Sequence, residues 1–153
     1  MKWTIQELIK LQNTNNEFES VIDFTSWIDN SDIVRITPTN VRGDFAVYDD
    51  VDFEFFIQVE CTVTMLCAIT LEEVDVHLDF DIEETFTTEK NEEYIKIEGI
   101  TVDLLPIIWS NIILEKPMRV VSENASNDFE EDNVEIDTEN INQAFANLKN
   151  FKN

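Results

Sequence analysis

Residues 51–64, VDFEFFIQVECTVT, and residues 73–83, EVDVHLDFDIE, decide the fold. In the first run Val51, Phe53, Phe55, Ile57, Val59, Cys61 and Val63 alternate with Asp52, Glu54, Gln58, Glu60, Thr62 and Thr64. Phe56 is the one strongly apolar residue on the polar side. In the second, Val74, Val76, Leu78, Phe80 and Ile82 alternate with Glu73, Asp75, His77, Asp79, Asp81 and Glu83. Successive side chains of a strand point to opposite faces, so a period of two held this long predicts two half-buried strands. Side by side, their polar faces bring Asp52, Glu54 and Glu60 near Asp75, Asp79, Asp81 and Glu83.

Upstream, Val41, Gly43, Phe45 and Val47 alternate with Arg42, Asp44 and Tyr48, and Asp49-Asp50 forms a plausible hairpin turn. Glu17–Phe24 and Ile33–Thr37 are further strand candidates, joined by a connector with one helical turn around Trp27 and Ile28. The chain opens with a helix signalled by a Thr4–Glu7 capping box, in which the hydroxyl and the carboxylate each accept the other residue's backbone N–H. Trp3 and Leu8 suit a hydrophobic staple. Tyr94–Glu98 is a shorter strand.

Residues 102–117, VDLLPIIWSNIILEKP, read as a nearly all-round apolar helix. Asp103 caps its start, and Pro106 fits the first turn, where a missing N–H costs little. Only Ser110, Asn111 and Glu115 provide a polar face, so this helix is expected to be buried centrally against the sheet. It is too short for a bilayer, which takes about 20 apolar residues.

The fold class is α+β: a curled antiparallel β-sheet, with a partly open barrel as its variant, a central buried helix and short terminal helices. Residues 1–120 form a single domain. Residues 121–138 read as an acidic linker. Residues 139–153 form a C-terminal amphipathic helix, with Ile141, Ala144, Phe145 and Leu148 at helical spacing. Two readings stay open for that helix, packing back on the domain and ordering on a partner.

Charge is the strongest compositional fact. Thirty-three acidic residues against ten basic ones give a net charge of -23. This disfavours direct nucleic-acid binding, which draws its affinity from cations neutralising phosphates, and disfavours anionic membranes. It favours basic partners: a cationic protein, a basic peptide or metal ions. Cys61 and Cys67 would lie more than about 7 Å apart along one strand face, too far for a disulfide. They read as buried thiols of a reducing compartment. The N-terminus has no apolar signal core, so the expected location is cytoplasmic.

The acidic stripe is the main candidate site. A solvated outer face and a docking face for a basic partner are the two readings weighed; paired catalytic carboxylates lack a placed His or Gly-rich loop. His77 reads as a surface histidine, with a metal site shared with Asp75 or Asp79 as the minority reading. No nucleophile elbow, phosphate loop or EF-hand loop is present. Neither a cofactor nor a resident metal is expected.

Three pieces of the sequence resemble a known family: MKWTIQELIK at the start, Cys67-Ala68-Ile69-Thr70-Leu71 after the long strand, and VDLLPIIWSNIILEKP. Together they are similar to the YceD family, the large ribosomal RNA subunit accumulation proteins, over roughly residues 1–120. The motif positions are Cys67, Leu71, Asp103, Leu104 and Pro106. The chain departs from the family where Ile69 replaces an Arg, and where KPMRVVSENASNDFEED holds no Cys cluster. The resemblance implies a bacterial cytoplasmic protein needed for large-subunit ribosomal RNA to accumulate.

Joined to the charge, it leads to an expected non-enzymatic function. A basic ribosomal protein or maturation factor of the large subunit would bind an acidic face of Asp52, Glu54, Glu60, Asp75, His77, Asp79, Asp81 and Glu83. The alternatives are a metal-dependent RNA-processing enzyme using surface carboxylates, and an acidic scaffold with no dedicated binding face.

Overall fold

The structure, a computed structural model, describes residues 1–128. The chain divides into two units, Met1–Ser122 and a second beginning at Glu123. Eight strands belong to the first: β1 (Lys2–Thr4), β2 (Glu17–Ile22), β3 (Ile33–Ile36), β4 (Thr39–Tyr48), β5 (Asp52–Leu66), β6 (Glu73–Thr87), β7 (Ile95–Lys96) and β8 (Thr101–Asp103). Helix α1 (Ile5–Leu11) follows β1, a 3-10 turn spans Thr25–Asn30, and helix α2 (Leu105–Glu115) follows β8. The second unit is described over one short helix, α3 (Glu123–Asp128). That helix stands at the start of the stretch expected to be a linker. The rest of the linker and the expected helix over 139–153 lie outside the described residues.

The expected alternation forms the sheet. Strand β5 pairs antiparallel with β6 from Asp52↔Thr87 to Leu66↔Glu73, and with β4 from Asn40↔Glu60 to Tyr48↔Asp52. The β4–β5 hairpin closes through Asp49 (φ 52°) and Asp50 (φ 56°). Two consecutive left-handed residues are what the right-handed twist of a tight hairpin demands. The Val51 N–H donates to the Tyr48 carbonyl at 3.0 Å.

The six-stranded sheet runs β2-β4-β5-β6-β7, with β3 also on β5, and does not close. It is antiparallel except at one edge, where β7 pairs parallel to β6. A second, two-stranded sheet joins β1 to β8. These two strands have three residues each, too few to show a period in the sequence.

Phe53, Phe55, Ile57, Val59 and Val63 from β5 are fully or almost fully buried. Phe55 is the hub of an aromatic cluster, with ring centroids 5.8 Å from Phe45, 5.6 Å from Phe86 and 6.2 Å from Trp3. Helix α1 has the expected capping box, and buries Leu8.

Helix α2 departs from expectation in two ways. Its N-cap is Leu104, one residue later than expected, with no side-chain cap bond. Asp103 still serves the start, its Oδ1 accepting the Leu105 N–H at 3.1 Å. The helix is also one-sided. Ile108 and Ile112 are fully buried, whereas Leu114 is 77% exposed. Helical geometry turns Leu114 about 200° from Ile112, and no element of the first unit covers that side. Trp109 ties the helix to the 3-10 turn, 5.6 Å from Phe24 and 6.1 Å from Trp27. Lys116, its side chain only 9% exposed, pairs with Asp32 at 2.8 Å at the helix end.

Candidate docking face

Strand register decides which carboxylates meet. Residues paired across neighbouring strands share a face about 5 Å apart. On the outer face, Asn40, Glu60 and Asp79 form one row, and Arg42, Gln58 and Asp81 the next. Glu19 of β2 extends that second row, opposite Arg42. A third row runs Glu17, Asp44, Phe56, Glu83. Further along β6, His77 stands opposite Thr62 and Asp75 opposite Thr64.

The expected residues therefore share one face but not one environment. Glu60, Asp75, His77, Asp79, Asp81 and Glu83 are exposed, and Asp52 and Glu54 are half-buried at the hairpin end. The Tyr48 hydroxyl donates to Glu54 at 3.0 Å and is held above its ordinary pKa by that carboxylate. The Thr64 hydroxyl donates to Asp75 at 2.6 Å. His77 has Glu60 at 3.6 Å and the Thr62 hydroxyl at 3.4 Å. Among the described residues, no three of His, Cys, Asp and Glu are placed to hold a metal ion.

Periodicity does not reveal the face's cations or its shape. The Arg42 Nε donates to the Gln58 amide oxygen at 2.6 Å, and Gln58 in turn donates to Asp79 at 3.4 Å. Arg35 closes on Glu73 at 2.6 Å. A groove of about 890 Å³ crosses β2, β4, β5 and β6 where Glu17–Glu19, Arg42–Asp44, Phe56–Gln58 and Asp81–Glu83 meet. Its wall includes Gly43, where strands approach too closely for a side chain. A Cβ there would lie 2.1 Å from the Phe56 carbonyl oxygen and 2.9 Å from the Phe18 ring. Phe56 is 38% exposed. An isolated glycine inside a strand pattern, with an apolar residue on the polar face, is the signal that points to this place.

The family described as "Large ribosomal RNA subunit accumulation protein YceD" matches residues 56–152. The chain belongs to this family. It is also 31% identical over 131 residues to a Bacillus subtilis (strain 168) protein, "Uncharacterized protein YlbN", covering 81% of this chain and 75% of that one. No solved structure matches. The match to the YceD family contains β5 from Phe56 onward, β6 and α2, and continues to residue 152, past the stretch carried by the sequence resemblance.

The YceD motif positions have structural work to do. Cys67 is fully buried, and its sulfur accepts N–H groups from Ile69, Thr70 and Ser122 at 3.5, 3.4 and 3.3 Å. The Thr70 hydroxyl and N–H, then the Ser122 N–H, hold the thiol down to a pKa of about 6. Together these donors outweigh burial, which alone would raise the thiol's pKa. The turn closes through the Leu71 N–H to the Cys67 carbonyl at 3.0 Å, with Leu71 left-handed (φ 59°) and 71% exposed. Ile69, standing where the resemblance expects Arg, donates only its backbone to Cys67. Cys61 is also buried, and neither cysteine forms a disulfide. Leu104 is fully buried, while Pro106 occupies the first turn of α2.

Proposed function

We propose that this YceD family member is a non-enzymatic, cytoplasmic factor that supports large-subunit ribosomal RNA accumulation by holding a basic protein on its acidic sheet face. The family name supplies the process. The observation that carries the docking face is the register: Glu60 opposite Asp79, with Asp81 and Glu83 continuing along β6. Like charges directly opposite one another are destabilising, and a cationic partner removes that repulsion. A net charge of -23 disfavours a direct grip on RNA phosphates, so the effect on RNA is assigned to the protein partner. That partner is a basic ribosomal protein or a maturation factor of the large subunit.

The test is capture from total protein extracted from bacterial large ribosomal subunits. The full chain is compared with a variant carrying Glu60→Gln, Asp79→Asn, Asp81→Asn and Glu83→Gln. Retention of basic proteins at low salt, lost at high salt and lost in the variant, is expected. Equal retention by the variant rejects the face. Capture of added ribosomal RNA in preference to protein rejects the partner class.

A further inference from the structure

The groove of the acidic face holds two neighbouring rows that differ at their two inner positions, on β4 and β5. In the row Glu19–Arg42–Gln58–Asp81, an arginine of the chain itself lies between acidic ends, hydrogen-bonded to Gln58. In the row Glu17–Asp44–Phe56–Glu83 the acids are present and the cation is not. Asp44 takes the place of Arg42 on β4, and the place of Gln58 on β5 is taken by an aromatic ring, Phe56, which is 38% exposed. Asp44 and Glu83 are its direct neighbours on the two flanking strands, at cross-strand spacing of about 5 Å. A ring face flanked by carboxylates attracts a cation twice, through the ring quadrupole and through charge.

Arginine suits such a place better than lysine. Its planar guanidinium stacks on an aromatic face while its N–H groups reach carboxylates to either side, and it sheds water more readily than an ammonium. The groove, about 890 Å³ and open across four strands, has room for an extended segment. A second copy of this chain is a poor occupant, because it would bring a like charge of -23.

We propose that the groove takes an extended, arginine-bearing segment of the basic partner, with one guanidinium stacked on Phe56 between Asp44 and Glu83. This rests on the reading of the acidic face as the docking surface, and adds that recognition is selective for arginine over lysine.

The probes are a fluorescent alternating Arg-Ser peptide and its Lys-Ser counterpart, titrated with the full chain at low salt. The Arg peptide is expected to bind about five-fold more tightly, as a stacked guanidinium contributes. Phe56→Ala is expected to bring the two affinities together while leaving salt-sensitive binding of both. Phe56→Tyr, which keeps the ring, is expected to retain the preference. Asp44→Asn with Glu83→Gln is expected to weaken both peptides.

Equal, salt-sensitive binding of both peptides to the unaltered protein overturns the Phe56 site and leaves the acidic face standing. An arginine preference that persists in Phe56→Ala also overturns the site. Failure of both peptides to bind overturns the site and the acidic face together.

Discussion

Glu60 and Asp79 stand directly opposite each other on neighbouring strands, and the other residues of their row, Asn40 and Val21, are neutral. A sheet selected for stability alone would place a cation in such a row, since each like-charged pair costs a few tenths of a kcal/mol. Asp79→Asn is therefore expected to raise stability by a few tenths of a kcal/mol, read as a higher urea midpoint, while reducing the capture of basic proteins. Opposite signs for stability and binding distinguish a docking residue from a merely solvated one. A variant that loses stability and keeps full capture argues against the role given to Asp79.

Gly43 sets the shape of the face. A Cβ placed 2.1 Å from the Phe56 carbonyl meets backbone, which cannot swing aside. Gly43→Ala is expected to cost about 3 kcal/mol, the upper end of overpacking penalties, measured by urea unfolding. Loss of less than about 0.5 kcal/mol, the range of neutral surface changes, would mean that the strands separate there easily.

Helix α2 is one-sided, and two residues of similar chemistry report it. Ile112→Ala is expected to cost about 3 kcal/mol, the usual price of a cavity left by a buried aliphatic side chain. Leu114→Ala, at 77% exposure, is expected to stay within about 0.5 kcal/mol. Comparable losses at both positions would show that Leu114 is covered in solution.

Cys67 gives the fold a pH dependence. Its folded pKa lies at about 6, below the ordinary thiol value of 9.0. Between these values the unfolded chain binds more protons than the folded one, so this contribution to stability rises with pH. It is fully present above about pH 9, and is lost as pH falls through about 6. The urea midpoint of the wild type is expected to drop from pH 9 to pH 6 more steeply than that of Cys67→Ala. The variant is also expected to be less stable at pH 9, because three N–H donors lose their acceptor. Parallel pH profiles would remove the thiolate from the stability of the turn.

The sheet was readable wherever its chemistry is periodic. Alternation from Asp52 to Glu83 carries strands, faces and the acidic stripe, because a half-buried strand has to repeat every two residues. Asp49-Asp50 carried the hairpin for a similar local reason. Pairing partners were less accessible. That Glu60 faces Asp79, or that Arg42 reaches Gln58, depends on register, which hydrophobicity fixes only to within a face.

Helix α2 shows a different limit. Leu114 and Ile112 look alike in sequence, and only the arrangement of the sheet decides which is covered. The parallel β6–β7 edge and the short β1–β8 pair carry too few residues to leave a pattern. The groove needed three strands in place before Phe56, an apolar residue on a largely polar face, gained Asp44 and Glu83 as neighbours.

The most direct measurement is the ratio of large- to small-subunit ribosomal RNA in a bacterial strain that lacks its own copy of this protein. The strain is complemented either with the wild type or with the folded Glu60→Gln, Asp79→Asn, Asp81→Asn, Glu83→Gln variant at equal abundance. If the acidic face holds the partner, the wild type restores the ratio and the variant leaves it low. Full restoration by the variant would contradict a role for that face in ribosomal RNA accumulation.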